Sequence, residues 1–339
     1  MCPLVTSDAK FESGTPRTDP VYPFTVLFAS RTTMRDISMR QLVSFSIAVV
    51  ALGPGAPVAR AQGQAAPDHP AITVRGQTYT PRSILARNMG TPEDQTTAFA
   101  PHKVLGNIYY VGTRTLTSFL IVTPQGSILI NSTYERNVPV IQRSVEQLGF
   151  KFSDVKILLG THAHGDHQEG DALVKQLTGA QVMAMAEDVP ALQAITPGGK
   201  VHPIDRTLHD AETVALGGTT LVAHLTPGHT RGCTTWTMKA QDAGRTYDVM
   251  FGCSLRAPDR LTPANKEEFE RSFALVRTLP CDVQLGDHGA QYNMQAKYAK
   301  LQAGGPNPFI DPATCKVEAE ISEAMVRAIL AEQQKAGPP

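Results

Sequence analysis

Three histidines and an aspartate fall within six residues at His162-Ala163-His164-Gly165-Asp166-His167, directly after the apolar run Val155 to Leu159. The chain must therefore end a strand there and open a loop that gathers donors. A zinc ion takes about four N, O or S ligands in a roughly tetrahedral shell, so one ion cannot comfortably use so dense a cluster. Two ions can. In an extended or turning backbone, residues two apart point the same way. His162 and His164 then suit one ion, and the adjacent pair Asp166 and His167 turns to a second.

Each ion still lacks a donor, and two later histidines occupy contexts that supply one. His229 lies in Thr226-Pro227-Gly228-His229-Thr230 and His288 in Leu285-Gly286-Asp287-His288-Gly289. Both follow strand-like stretches, Thr219 to Leu225 and Val283 to Leu285, and both sit in glycine-bearing turns that let backbone approach an ion. The isolated histidines His69, His102, His202, His209 and His224 carry no such pattern and are read as ordinary surface or core residues.

With 339 residues, 42% of them hydrophobic, and 31 basic against 31 acidic side chains, the chain has room for one large domain or two small ones. No basic run and no net charge are present to attract a phosphate backbone, so nucleic acid is not an expected partner. Near the N-terminus, Met39-Arg40, the apolar run Leu42 to Leu52, and Ala59-Arg60-Ala61 before Gln62 match a secretory signal. The run is too short to span a bilayer. The expectation is a start at Met34 or Met39, a mature protein from about Gln62, and a periplasmic location. The competing reading makes residues 1–61 a disordered tail plus a core helix.

Export changes how the cysteines are read. Beyond Cys2 the chain has Cys233, Cys253, Cys281 and Cys315, an even number in a compartment where disulfides persist. Four cysteines allow three pairings. Strands Thr234 to Met238 and Tyr247 to Phe251 flank the turn-like Gln241-Asp242-Ala243-Gly244. A hairpin in that register sets Cys233 opposite Cys253 and leaves Cys281 for Cys315.

Gln62 to Pro101 is polar and proline-rich, with Ile84 to Arg87 its one possible helical turn, and reads as an irregular arm ending at residue 103. Regular structure is expected from Val104, so the main domain is 104–339. Strand-like runs occupy Asn107 to Val111, Ser118 to Thr123 and Ser127 to Asn131, with Pro124-Gln125-Gly126 as a turn. Helical spacing places Val138, Ile141, Val145 and Leu148 on one side. Strand Val155 to Leu159, helix Ala172 to Leu177, strand Gln181 to Met185, the strand block Thr213 to Phe251 and helix Lys266 to Leu279 then suggest two β-then-α halves. Val317 to Gln333 reads as a closing helix. Such an order predicts two sheets packed together with helices on the outer faces. The Pro- and Gly-bearing loop Ile195 to Asp205 is either a substrate flap or a plain surface loop.

These residues resemble the metallo-β-lactamase superfamily, whose H-x-H-x-D-H signature followed by two distant histidines is present in full. The resemblance runs from about Val104 to the C-terminus and implies an αββα sandwich of two mixed β-sheets. Most non-lactamase members carry a metal-bridging aspartate after a glycine, where this chain reads Phe251-Gly252-Cys253-Ser254-Leu255. That difference is what the β-lactamase branch looks like. Three further stretches are similar to class B enzymes of the third subclass: Gly106 to Gly112, Thr226 to Trp236 and Gly304 to Pro312. Asn131-Ser132-Thr133-Tyr134 and Gln168-Glu169 depart from the usual pattern.

The resemblance implies two zinc ions, one held by His162, His164 and His229 and the other by Asp166, His167 and His288. A water or hydroxide between them would attack a β-lactam carbonyl, since zinc brings the pKa of bound water to ~7. Asp166 would orient it. The substrate carboxylate calls for a cation or hydroxyls, and Ser254 and Arg256 are the candidates. The expected function is hydrolysis of penicillins, cephalosporins and carbapenems by a zinc β-lactamase conferring antibiotic resistance. The expected partner is the small β-lactam alone, with the mature chain monomeric and free of the membrane. Another hydrolase of the same fold, a lactonase or thioesterase, is the alternative.

Overall fold

The computed structural model describes residues 67–196 and 199–336. The signal-like segment Met39 to Ala61 lies outside the described residues.

The strongly apolar runs become strands with both faces buried. In β5 (Phe119–Thr123) and β6 (Gly126–Ile130), Phe119, Ile121, Ile128 and Ile130 enter the core between the two sheets. Leu120 and Leu129 face outward into a separate cluster. Alternation of that kind needs a covering layer on each side. The outer layer is α2 (Val138–Gln147), whose Val138, Ile141 and Val145 join Leu120 and Leu129, together with Val174 of α4 (Asp171–Thr178).

These strands belong to a seven-stranded sheet. Its order is β3 (His102–Leu105), β4 (Ile108–Tyr110), β5, β6, β7 (Val155–Leu159), β8 (Gln181–Met185) and β9 (Arg206–Leu208). It is antiparallel as far as β6 and parallel from there on. A second, five-stranded sheet runs β10 (Thr213–Leu216), β11 (Thr219–Leu225), β12 (Thr234–Asp242), β13 (Arg245–Gly252) and β14 (Val283–Gly286). Val249 and Phe251 of β13 point to the shared core. Met250 points out to a cluster with Phe269 and Phe273 of α6 (Pro263–Thr278) and Ile321 and Met325 of α8 (Val317–Ala336). The layers are thus helix, sheet, sheet, helix, with both sheets mixed, as the sequence led us to expect.

Residues 67–101 differ from the irregular arm expected. They form a hairpin of β1 (Ile72–Val74) and β2 (Gln77–Tyr79), followed by α1 (Pro81–Met89). The reason is local. Arg75-Gly76 turns with both residues at positive φ, and Thr80 caps α1 with its side chain on Ser83 N, ahead of Pro81 at the first helical position. Tyr79 and Ile84 pack into the cluster around α8, so the segment is built onto the domain.

The β12–β13 hairpin also departs in detail. Its strands run on to the pair Asp242↔Arg245, leaving Ala243-Gly244 as a two-residue turn. Continued past Trp236↔Phe251, that register sets Cys253 against Thr234, with Cys233 one place off. The Cα atoms of Cys233 and Cys253 are still only 5.9 Å apart, and those of Cys281 and Cys315 6.1 Å. Both are spacings a disulfide spans.

Candidate metal centre

Every loop that matters leaves the carboxyl end of a strand. The loop after β7 carries His162, His164, Asp166 and His167, with the last two on the short helix α3 (Gly165–Gln168). β11 leads to His229, β13 to Ser254 and Arg256, and β14 to His288. The ligating atoms of His162, His164 and His229 lie within 4.8 Å of one another, and so do those of Asp166, His167 and His288. In the first group the three imidazole centroids form a near-equilateral triangle, 4.7 to 4.8 Å on a side. All six residues singled out in the sequence are therefore brought together, in the two sets expected.

Buried hydrogen-bond partners hold the rings. His229 Nδ1 is 2.9 Å from the carbonyl oxygen of Arg256, which makes Nδ1 the protonated nitrogen and turns Nε2 to the cluster. His162 Nδ1 faces Asp287 Oδ2 at 3.3 Å. Asn131 adopts a positive φ at the end of β6 and accepts from both Thr161 N and Thr161 Oγ1, fastening the start of the histidine loop. Asp188 accepts from Ala163 N, Thr230 Oγ1 and Gly232 N, and so ties the His162–His164 loop to the His229 loop.

A metal ion fits this arrangement. His162 Nε2 is buried without a hydrogen-bond partner, and His167 Nε2 faces the Asp166 carboxylate at 3.2 Å, a pairing of ring nitrogen and carboxylate that a shared cation would join. An orphaned buried polar atom costs about 1–3 kcal/mol, which a cation bound at His162 Nε2 relieves. The protonation states also suit a cation. Burial, reinforced by neighbouring histidines, holds His164 and His288 down to about 4 and His229 well below its ordinary value. Burial pushes Asp166 up, but His167 and the other imidazoles beside it outweigh that and keep it ionised. His167 is the exception, raised because Asp166 and Asp287 overcome its burial. Neutral imidazoles and an ionised carboxylate are what a divalent ion, typically zinc, requires.

Two other donor groups satisfy the same distance. One contains Cys233 and Cys253 beside His162, but the two sulfurs face each other. The other adds Asp287 to His162 and His167, and the Asp287 carboxylate also receives Ser254 N at 2.6 Å.

A pocket of about 160 Å³ opens over the histidines. Ser254 and Arg256 line it, as the sequence reading asked, and burial lowers the pKa of Arg256. Leu85, Asn88 and Met89 of α1 also line it, which sequence reasoning missed because the arm was read as irregular. Among the described residues of the 195–205 loop, none does. That loop is anchored from behind, where buried His202 meets Asp171 Oδ2 at 3.1 Å. Asp188 and Asp287 were missed too. Asp287 had a signal, its place beside His288, whereas nothing local marks Asp188. The departure at Gln168 has a packing reason: its side chain fills the space a Cβ on Gly160 would take.

Residues 111–288 match the family model of the metallo-beta-lactamase superfamily. Among solved structures, the chain is similar to the native FEZ-1 metallo-beta-lactamase from Legionella gormanii. The identity is 42%, covering 70% of this chain and 98% of that one, with a TM-score of 0.67. It is also similar to BJP-1, a subclass B3 metallo-beta-lactamase of Bradyrhizobium japonicum, at 36% identity, 72% and 98% coverage and a TM-score of 0.67. Among curated relatives, a hydroxyacylglutathione hydrolase of Methylobacterium sp. (strain 4-46) is 27% identical over 55% of this chain, which spans 65% of that protein's length.

Proposed function

The chain belongs to the metallo-β-lactamase superfamily, and from that premise we propose that it is a zinc-dependent β-lactamase acting on penicillins, cephalosporins and carbapenems. The observation that carries the choice of substrate is Ser254. It lies in the pocket just past β13, and among the described residues the one carboxylate lining that pocket is Asp166. A hydrolase of the thioesterase type would be expected to place a second, metal-bridging carboxylate at that strand end. The curated relatives named hydroxyacylglutathione hydrolase favour such an activity, but at lower identity and over part of their length.

His162, His164 and His229 would hold one zinc, and Asp166, His167 and His288 the second. Bound zinc supplies an activated water near neutral pH and a Lewis acid for the ring carbonyl. Asp166, kept ionised by the imidazoles around it, orients the attacking water. Arg256 and Ser254 hold the substrate carboxylate, a charge-assisted contact strengthened by the burial of Arg256. The backbone carbonyl of Arg256 fixes the His229 ring, so one segment positions both a metal ligand and the substrate. We take the mature protein to be exported and monomeric, with its two cysteine pairs oxidised and its activity conferring antibiotic resistance.

The test is hydrolysis of a chromogenic cephalosporin and a carbapenem before and after chelation, with zinc counted in the same sample. Turnover that chelator abolishes and zinc restores, at about two ions per chain, is the expected result. Two bound zincs with no β-lactam turnover would move the substrate to a lactone or thioester.

A further inference from the structure

We propose that Asn88 of α1 is a specificity-determining residue, its amide Nδ2 donating a hydrogen bond to the acylamino carbonyl of penicillins and cephalosporins. The proposal rests on the β-lactamase reading and deepens it.

The residue is 2% exposed, yet it lines the pocket over the histidines. Its orientation follows from its neighbour. Arg87 Nε lies 3.2 Å from Asn88 Oδ1, and a guanidinium only donates, so the amide oxygen faces Arg87. Nδ2 is left on the other side, and no acceptor for it is found among the described residues. Arg87 is itself held, since its Nη2 reaches both carboxylate oxygens of Glu318 at 2.7 and 2.8 Å. Glu318 stands in the first turn of α8, so a relay from α8 through Arg87 sets the direction of the Asn88 amide.

A donor held in place beside a metal pocket selects for an acceptor on the substrate. Arg256 and Ser254 already account for the substrate carboxylate. The remaining strong acceptor outside the ring is the carbonyl of the acylamino side chain, which penicillins and cephalosporins carry and carbapenems lack. Leu85 and Met89, one turn before Asn88 and one residue after it, give the same wall an apolar surface for the rest of that side chain.

The experiment compares wild type, Asn88→Ala and Asn88→Asp on an acylamino cephalosporin and on a carbapenem, with zinc content and Tm measured for each. For the cephalosporin, Asn88→Ala should raise KM about threefold to tenfold, the factor commanded by one neutral hydrogen bond. Asn88→Asp should raise it further, because a carboxylate presents acceptors to an acceptor. The kcat, the carbapenem KM and the zinc content should stay as in wild type. An unchanged cephalosporin KM overturns the proposal. So does an equal rise for both substrates, or a loss of zinc, which would make Asn88 a structural residue. A wild type that hydrolyses neither substrate overturns the β-lactamase reading itself, a result distinct from either of these.

Discussion

Nδ1 of His162 lies 3.3 Å from Oδ2 of Asp287, with both side chains buried. The pair decides which ring nitrogen of His162 is free. The carboxylate accepts a hydrogen bond from Nδ1–H, so the proton stays on Nδ1 and Nε2 is the unprotonated, unpartnered atom in the cluster. Asp287 does more than this. It receives Ser254 N at 2.6 Å and Asn131 Nδ2 at 3.4 Å, so the ends of β6, β7 and β13 meet on one carboxylate. Burial pushes this carboxyl up, but the nearby His167 imidazole and the hydrogen bonds from His162 and Thr161 hold it far below the usual range. Replacing Asp287 with Asn should weaken zinc binding at the His162 site by about 10-fold to 100-fold, the usual cost of losing such a partner. Competition with a chromophoric chelator measures it, and an unchanged affinity would sink the assignment.

Gly228 sits at φ 135°, and a Cβ there would lie 2.7 Å from the ring of Phe269 on α6. The preceding Pro227 is pinned to the same helix through Ser272 Oγ, so the loop cannot swing aside. Gly228→Ala should therefore displace His229. Zinc per chain is expected to fall by about one ion, with Asp166, His167 and His288 retaining theirs. Metal analysis after desalting decides it, and a full complement in the variant would show that the loop adapts.

Arg256→Ala tests the substrate contact separately from the metals, because the His229 ring is held by the Arg256 backbone and not by its side chain. Loss of a charge-assisted contact should raise KM for penicillins and carbapenems alike by about tenfold or more, with zinc content unchanged. An unaltered KM would remove Arg256 from the binding site.

The cysteine pairs predict two linked peptides in an unreduced digest, Cys233 with Cys253 and Cys281 with Cys315. A Cys233 to Cys281 peptide would refute the scheme. The second pair spans 34 residues and joins the chain ahead of β14 to the approach to α8. Closing a loop of that length limits the unfolded chain, so the double Cys281→Ser, Cys315→Ser variant should lose about 3–4 kcal/mol in denaturant unfolding.

What could be read without coordinates was whatever a local pattern encodes. β7 and β8 begin and end where their apolar runs do, and the six clustered donors needed only strand ends to bring them together. The arm escaped notice because its hairpin strands are three residues each and α1 has little apolar periodicity; Tyr79 and Ile84 acquire their meaning only against α8. Asp188 is invisible for a similar reason, since its three donors come from segments 25 to 44 residues away. The hairpin turn was placed one step early, which set the two cysteines opposite each other where the register makes them diagonal. Asn88 combines both difficulties, a short polar helix and a pocket assembled from distant loops.

Asp311 offers a test of stability away from the metals. Burial raises its pKa, but the hydroxyl of Thr314 at 2.6 Å and the ammonium of Lys297 at 3.5 Å outweigh that and hold it low. The carboxylate thereby ties α7 (Met294–Gln302) to the turn before Cys315. A carboxyl with a depressed folded pKa binds fewer protons folded than unfolded. Its stabilisation is complete above the unfolded value of 3.8 and disappears as pH falls through the lower folded one. Asp311 is partly exposed, so solvent screening limits the effect to roughly 0.5–1 kcal/mol. Asp311→Asn should accordingly destabilise the metal-free protein by that amount at pH 7 and by progressively less below pH 3.8. Urea unfolding of both proteins at matched pH measures the difference, and a gap that is constant or that widens on acidification would show that the carboxylate charge is not what holds the turn.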